Sequence, residues 1–501
     1  MKKTILTIFS GLVLLTSCVK DFEKLNTDPN NTQDVEPELL LKYSLKRGMS
    51  NFLTASHLEY NGLHQYMMYF ATRGGIEPGN EYEQPSGADG FWRETYVDVA
   101  NNTQQVINIT DNDQLKAVAM IWKIYQMQRI TDLYGDVPYS KAFKGNPELE
   151  FSPAYDKQEE IYHSFVVDLK KAVQLLEPGN GRISAEADLI YSGNTENWIR
   201  FAHSLLLRCA IRVNQVDADF SGEIITYLRD KKLIESNEQN ATFQFNSVSQ
   251  KPLYYAAEVQ YEQGEQYINP GKYLVDLLVN SEDPRKRILF NKSTLSDDYP
   301  FIEEYRGVPN LLPYSSDKWD NYNLDAQLGD ELGQYGDVSR VGDWCTSNDR
   351  PTSLLSYAEV CFLKAEASLS GLWSGNALNL LKEGITAHFN EINFYATDEQ
   401  EITQQEINAY LQKIQEATLE EVITQKYIIF AYENVFEAYA DYRRTGYPIL
   451  KNYYEEPINT GIFPNRLKYP YSEYSLNKDN YEEAVSMQGA DTQETKLWWQ
   501  E

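Results

Sequence analysis

Apolar residues that recur three and four positions apart restrict the fold of this chain more than any other feature. The clearest run comprises Trp198, Phe201, Ala202, Leu205, Cys209 and Val213. This spacing places all six on one face of an α-helix. Asn194 or Thr195 stands just before the run, and either side chain can cap the free N–H groups of a first helical turn. The spacing returns along most of the chain and therefore predicts a mainly α-helical fold.

The predicted helices are short and closely spaced along the sequence. They cover 37–55, 57–71, 91–110, 114–133, 156–177, 195–214, 221–231, 352–370, 374–389, 403–415 and 417–443. Ala358, Ala365 and Ala367 are small enough to let a second helix approach closely. The chain has no repeat of fixed period, yet helix pairs joined by short turns favour a tetratricopeptide-like helix-pair scaffold whose repeats have lost their similarity.

Two stretches interrupt the helical pattern. Residues 72–90 are rich in Gly, Glu and Pro, and residues 236–350 are rich in Asn, Tyr, Asp and Gly. Both are interpreted as long irregular loops on the helical scaffold. Such loops often carry binding sites, because a rigid frame fixes their ends while their sequence is free to vary. The alternative is that both are surface insertions without a function.

The N-terminus has the pattern of an export signal with a lipid attachment site. Two lysines precede a largely apolar run at 5–15, which is shorter than the about 20 residues needed to span a bilayer. Leu15-Thr16-Ser17-Cys18 follows and resembles the bacterial lipobox. We therefore expect a signal peptide at 1–17, a lipid on Cys18, a polar tether at 18–36 and a single domain at 37–501. The alternative is an ordinary secretory signal with an incidental cysteine.

Composition narrows the classes of function further. The net charge is −29, and no basic run offers phosphates an electrostatic footprint, so nucleic-acid binding is excluded. Membrane attachment must then come from the lipid and not from a basic helix. The remaining cysteines, Cys209, Cys345 and Cys361, are odd in number and do not form a disulfide framework; they are interpreted as buried, inert thiols.

Several sequence blocks together resemble the SusD/RagB family of nutrient-binding outer-membrane lipoproteins, in the branch that begins with an Asn-Thr-Asp-Pro-Asn tether. The blocks are Cys18, Asn26–Asn30, Arg129–Ser140, Asn197–Ala202 with Arg208–Arg212, Asp283–Arg285, Tyr357–Ala367, Arg443–Pro448, and Arg466–Pro470 followed by Glu473 and Asn477. Each block alone is common. Together, in this order, they extend over most of the chain.

The resemblance implies a protein at the cell surface, anchored in the outer membrane by its lipid. Such a protein captures a nutrient and passes it to a SusC-like TonB-dependent transporter barrel, which it covers as a lid. Ligands in the family include glycans and, in some members, peptides. The resemblance also implies the SusD-like α/α fold.

The charged residues inside these blocks are interpreted as structural. Arg129 and Asp132 stand three positions apart and are predicted to pair on one helix, which should end at Gly135. Glu359, Glu366, Arg443 and Arg444 lie among apolar residues, where buried ion pairs that fix helix register are expected in preference to catalysis.

The candidate ligand contacts are aromatic residues beside hydrogen-bonding side chains, because a sugar needs a flat apolar face and polar partners for its hydroxyls. The first group lies in the 236–350 loop and comprises Trp319, Tyr322, Asn321, Asp320 and Trp344. A second group comprises Tyr82, Trp92, Tyr305 and Arg306. Structural packing is the alternative for each, and for Trp92 it is favoured.

No cofactor or metal is predicted. Residues 321–325 space oxygen atoms like the start of a calcium loop, but Ala326 and Leu332 stand where that loop needs Gly and Glu. Calcium binding therefore stays open but unproven.

No catalytic residue is nominated, because the five histidines are scattered and no nucleophile motif occurs. Two alternatives remain. A surface-anchored glycoside hydrolase could hide its carboxylate pair among 74 acidic residues. A protein-only tetratricopeptide adaptor would make the aromatic loops incidental.

Overall fold

The computed structural model describes residues 35–49, 56–72, 82–144, 150–177, 180–245, 268–311, 338–347, 350–451, 453 and 462–500. Helices dominate these ranges. In the first half they are α1 (Pro37–Met49), a π-helix (Ser56–Leu63), α2 (His64–Tyr66), α3 (Ala88–Glu94), a π-helix (Thr95–Ala100), α4 (Asn101–Ile109), α5 (Asp113–Tyr134), α6 (Gln158–Leu176), α7 (Thr195–Val213) and α8 (Ala218–Leu228). After the 3₁₀ turn Asn237–Gln239 come α9 (Lys272–Asn280), α10 (Lys286–Leu289), α11 (Asp343–Thr346), α12 (Tyr357–Leu369), α13 (Ala377–Asn393), α14 (Gln404–Lys413), α15 (Leu419–Phe430), α16 (Val435–Thr445), α17 (Tyr471–Leu476) and α18 (Lys478–Gln488).

The strands are short and form three antiparallel pairs. They are β1 (Phe70–Thr72), β2 (Ala241–Gln244), β3 (Ile268–Pro270), β4 (Phe290–Asn291), β5 (Arg340–Val341) and β6 (Pro351–Leu355). β1 pairs with β3, β2 with β6, and β4 with β5. Within the described ranges each strand pair joins two segments that are distant in sequence, and no extended sheet forms.

Local capping explains where several helices begin and end. The side chain of Asn194 accepts a hydrogen bond from the Asn197 N–H and starts α7, as predicted. Ser356 caps α12 in the same way through the Glu359 N–H. α5 ends at Tyr134, and Gly135 follows at φ +88°, a conformation that glycine adopts at little cost.

Neighbouring helices pack in pairs, and the pairs stack on one another. α5 packs against α6, α6 against α7, and α7 against α8; α12 packs against α13 and also against α7. A single large apolar core runs through these contacts. The mainly α-helical, helix-pair architecture predicted from the sequence is confirmed.

Several predictions of secondary structure are wrong within the described residues. The segment 57–71 is helical only to Tyr66 and runs into strand β1 at Phe70. The segment 352–370 starts with strand β6, so its helix begins only at Tyr357. The segment 417–443 contains two helices, because residues 431–434 break the chain between α15 and α16. The 236–350 region is not irregular throughout, since it supplies β2 to β5 and α9 to α11.

Buried ion pairs join the stacked helices, as expected for charges set among apolar residues. Arg208 on α7 donates two hydrogen bonds to the carboxylate of Glu359 on α12, one of them from Nε to Oε1 at 2.8 Å. Arg444 on α16 lies 2.5 Å from Glu366 on α12. All four side chains are nearly inaccessible to water. Pairs of this kind fix the register of the helices that they join.

The predicted pair between Arg129 and Asp132 is wrong. Arg129 contacts Glu59 at 3.4 Å, and Asp132 contacts Arg212 on α7 at 3.4 Å. The two side chains lie on the same helix but face different neighbours. The expected ion pair of Arg443 is also wrong, since Arg443 forms none within the described residues. It donates hydrogen bonds to the carbonyl oxygens of Tyr439 and Asn465 and lies 3.7 Å from the Tyr439 ring centroid.

Among the described residues, no helix combines the length and the apolar character needed to cross a bilayer.

Candidate functional site

Strands β1 and β3 bring together two distant parts of the chain at the margin of the core. Phe70 lies opposite Pro270 and Thr72 opposite Ile268 in an antiparallel register. The Gly271 N–H donates to the Tyr69 carbonyl at 2.8 Å and extends this pairing. A Cβ atom at position 271 would lie 2.0 Å from the Met68 carbonyl oxygen, so the close approach requires glycine.

A third segment docks on the same pair of strands. The Val308 N–H donates to the Pro270 carbonyl at 2.9 Å, and the Asn310 side-chain amide donates to the Phe70 carbonyl at 2.6 Å. Val308 also packs with Ala71 and Val338 in a small apolar cluster. The Ser339 N–H bonds the Arg306 carbonyl at 2.8 Å. We call the described residues 70–72, 268–271, 306–311 and 338–339 the loop frame.

The loop frame holds chain positions that flank three segments outside the described residues. Thr72 precedes 73–81, Ile268 follows 246–267, and Leu311 and Val338 stand on either side of 312–337. Four of the six ends of these segments therefore lie in the loop frame. This convergence is the arrangement expected of a site that a rigid scaffold presents on loops.

The predicted ligand residues differ in whether the structure describes them. Trp319, Tyr322, Asn321 and Asp320 fall in the segment 312–337, outside the described residues. Cys18 lies outside them too, in the N-terminal segment 1–34. Arg306 belongs to the loop frame, and Tyr305 precedes it, 9 % exposed, with the Lys286 ammonium 5.8 Å from its ring centroid.

Tyr82 lies in an aromatic cluster and is 8 % exposed. Its ring centroid lies 5.9 Å from that of Tyr66 and 5.3 Å from that of Phe463, both in edge-on contacts. Phe463 also packs on Tyr442 at 4.4 Å. Phe463 and Tyr442 are half-buried and so give this cluster a water-facing margin. Burial raises the pKa of Tyr82, which is held as a neutral phenol.

Trp92 on α3 is 5 % exposed and packs among tyrosines. Its ring lies 4.9 Å from the rings of both Tyr96 and Tyr134. This environment is that of a core residue, in line with the packing alternative considered for Trp92.

Trp344 on α11 is 8 % exposed and borders a small polar cavity of about 40 Å³. Glu391 and Glu433 line the same cavity. Burial, together with the charge of Glu433, raises the pKa of Glu391 to about 8. Arg350 lies 3.4 Å from Glu433 and 4.5 Å from the Trp344 ring centroid. The cavity has room for a few water molecules and is far smaller than the about 300–1,000 Å³ of ligand pockets.

One group of side chains in the described part of the chain has the composition of a metal site. Glu159, His163 and Asp217 offer one ligand atom each, all within 4.8 Å of one another. His163 Nε2 already bonds Asp217 Oδ2 at 3.0 Å, and Asp217 Oδ1 accepts from the Phe220 N–H at the start of α8. An ion pair and a helix cap account for these contacts. The calcium-like segment 321–325 lies outside the described residues.

Comparison of the sequence with known protein families gives one match. Residues 29–470 match the SusD-like family described as "Starch-binding associating with outer membrane". The chain therefore belongs to the SusD-like family. Comparison with curated proteins gives no match.

Solved structures of high similarity fall in the same family. A chitin-binding protein shares 27 % identity with a TM-score of 0.80, over 93 % of this chain and 100 % of that chain. A SusD homolog from Bacteroides uniformis shares 25 % identity with a TM-score of 0.75, over 93 % and 98 % of the two chains. A chitin-binding SusD homolog from Flavobacterium johnsoniae shares 24 % identity with a TM-score of 0.74, over 92 % and 98 %.

Sequence reasoning missed the half-buried aromatic margin formed by Phe463 and Tyr442. The two residues lie on different segments, and neither stands in an aromatic-rich stretch of the 72–90 or 236–350 regions. Their proximity depends on α16 packing beside the segment 462–470, which no local pattern reveals. A groove beside Lys123, described below, was missed for the same reason.

Proposed function

We propose that this chain is a lipid-anchored binding protein of the cell surface that captures an oligosaccharide and delivers it to a SusC-like TonB-dependent transporter in the outer membrane. The observation that carries the proposal is the family match over residues 29–470. The chitin-binding neighbour, which is similar over 93 % of the chain, favours a glycan over a peptide as the ligand. The proposal includes the predicted division into a signal peptide at 1–17, a tether at 18–36 and one domain at 37–501.

The binding site is proposed at the loop frame. The segment 312–337, which contains Trp319 and Tyr322, is flanked by the loop-frame residues Leu311 and Val338. Arg306 belongs to the same frame. An aromatic face with neighbouring amide and carboxylate groups, such as Asn321 and Asp320, is the combination that sugar recognition requires. Tyr305 is nearly buried next to Arg306 and is proposed to support the site. Tyr82 and Trp344, also nearly buried, stay candidate ligand contacts.

Capture without chemistry is proposed in preference to glycoside hydrolysis. Glu391 and Glu433 are a neighbouring carboxylate pair, and burial raises the pKa of both, that of Glu391 to about 8. A pair of carboxyl groups is what a glycosidase uses. Their cavity of about 40 Å³ cannot admit a sugar ring. A binding protein should return its ligand unchanged, so chromatography of an oligosaccharide after long incubation with the protein distinguishes the two functions.

The experiment that tests the proposed site is calorimetry with chitin, starch and peptide oligomers on the wild-type protein and on Trp319→Ala and Tyr322→Ala. Loss of one aromatic anchor should weaken binding roughly tenfold or more, because such anchors contribute about 1.5–2 kcal/mol. Tyr471→Ala is the matched control, since Tyr471 is 72 % exposed on α17 and distant in sequence from the loop frame.

Equal affinities for the wild-type protein and both loop variants would refute the proposed site. Absence of heat with every glycan and peptide would refute capture itself and would favour a protein-only adaptor.

A further inference from the structure

A groove of about 600 Å³ lies between α4, α5, α6 and the segment that follows α5. It shares no lining residue with the loop frame. Its lining includes Gln104, Lys123, Tyr139, Phe143, His163 and Asp168. The volume falls within the range of small-ligand pockets.

Lys123 is the unusual group in this groove. Its Nζ donates to Gln104 Oε1 at 2.9 Å and lies 5.2 Å from the centroid of the Tyr139 ring. No carboxylate of the described residues lies within ion-pairing distance of the Lys123 ammonium. Burial of the side chain lowers the pKa of Lys123. Lys426, by contrast, is fully buried and pairs with Asp441 at 2.6 Å. An ammonium has three donor hydrogens. Two donor hydrogens of Lys123 are therefore available to an acceptor inside the groove.

The opposite chemistry is present close by. Asp168 on α6 faces the Tyr139 hydroxyl and, after burial, is the main cause of the raised pKa of that phenol. The charge of Asp168 also acts on Lys123, whose pKa it raises against the larger, lowering effect of burial. Lys123, Lys144 and Asp168 thus give the groove charges of both signs. Such a lining suits a neutral ligand that accepts and donates hydrogen bonds.

The aromatic wall is held in place before any ligand arrives. The N–H groups of Tyr139 and Ser140 both donate to Asp156 Oδ2, at 3.0 and 2.7 Å. Phe143 has φ +64°, an unfavourable conformation for a bulky residue, and stacks on Tyr96 at 5.9 Å. Rigid walls reduce the entropy that binding must overcome.

We propose that this groove is a second saccharide site, sized for one or two sugar units. Neighbouring hydroxyls accept hydrogen bonds from Lys123 and donate to Asp168, while the C–H face of the ring lies against Phe143. Gln104 and Asn108 offer amide groups to further hydroxyls. The site needs none of the loop residues, so it stands or falls independently of the loop site in the proposed function.

The test is backbone hydrogen exchange of the full-length protein with and without millimolar diacetylchitobiose, maltose or a neutral dipeptide. A disaccharide should slow exchange in the peptides that contain 139–144 and 158–170. Lys123→Met should weaken this protection roughly ten- to a hundredfold in ligand concentration, since a charge-assisted hydrogen bond is lost. The substitution also removes a buried charge, so the fold should be retained.

Two further variants separate the outcomes. Lys171→Met, an exposed lysine of α6, should leave the protection unchanged, and Trp319→Ala should do the same. Phe143→Gly removes the ring at a position whose φ glycine tolerates and should weaken protection. If no disaccharide protects the groove, or if Lys123→Met leaves protection intact, the second site is refuted, whether or not the loop variants lose heat. Protection by the dipeptide alone would refute the saccharide assignment.

Discussion

Glu391 shows how far the interior can shift a single ionisable group. Its Oε1 accepts a hydrogen bond from the Asn240 amide at 3.1 Å, which favours the charged form. Burial and the neighbouring Glu433 outweigh this bond and raise the pKa of Glu391 from 4.5 to about 8. Protonated Glu391 is therefore the form that the fold favours. Its contribution to stability is complete below pH 4.5 and is lost as the pH rises through about 8.

Glu391→Gln should remove this pH dependence, because the glutamine stays neutral and its carbonyl can still accept from Asn240. We expect the variant to exceed the wild type in free energy of unfolding by on the order of 2 kcal/mol at about pH 8, and to match it at about pH 5. Urea denaturation at both pH values measures the difference. Glu416→Gln, at an exposed position, is the control. A constant difference at the two pH values would show that Glu391 is not the titrating group.

Charged residues also mark what local sequence can and cannot predict. The expectation that Glu359, Glu366 and Arg444 form buried ion pairs is confirmed, because polar charges in apolar runs must find a partner. Which partner they find is decided by packing. Arg129 and Asp132 are close on one helix, yet each pairs with a different segment. Spacing gives proximity within a helix and no information about the neighbouring helix.

At the scale of the helix, α12 and α13 are in close contact at Gly384. Gly384 on α13 faces Phe362 on α12, and a Cβ atom at 384 would lie 2.5 Å from the Phe362 ring. Phe362 is fully buried, so its ring has no free space to move into. A glycine inside a helix costs stability in isolation, and here the close contact accounts for it.

Gly384→Ala should lower the free energy of unfolding by about 1–3 kcal/mol, the usual cost of overpacking a core. Gly222→Ala on α8 is the matched control, since a Cβ atom there meets nothing within 4 Å. That substitution should stabilise the protein by about 0.5–1 kcal/mol through helix propensity alone. Chemical denaturation of both variants tests the pair. Equal gains in stability at the two positions would mean that the helices are not in tight contact at Gly384.

Helices with a clear cap and a one-sided apolar stripe were predictable, whereas segments governed by tertiary pairing were not. α7 begins at the expected Asn194 cap. Residues 352–355 were included in a predicted helix because their leucines continue into α12, but pairing with β2 makes them part of a strand. α17 and α18 were missed because they bury almost no side chains, so their sequences carry little periodic signal.

For the whole molecule, the architecture was predictable because its signal is repeated in every helix pair, while the sites were not. The loop frame depends in part on hydrogen bonds between residues far apart in sequence, such as the bond from Asn310 to Phe70, which are 240 positions apart. The groove beside Lys123 depends on three helices and the turn after α5. Composition suggested aromatic recognition in the 72–90 and 236–350 regions, which stays a prediction. It could not separate Trp92, which is buried in the core, from a ligand contact.

Attachment to the membrane is the property on which the proposed role of the whole molecule depends. Cys18→Ser should abolish labelling by fatty acid in the producing cells and let an alkaline wash release the protein from the membranes, because a chain of net charge −29 has no other attraction for an anionic lipid surface and docking on a transporter does not resist such a wash. Cys209→Ala is the control, since that thiol is free and fully buried and should be irrelevant to acylation. If the Cys18→Ser protein still takes up label, or stays with the membranes after an alkaline wash, then the lipid is not on Cys18 and the capture site is held at the surface by other means.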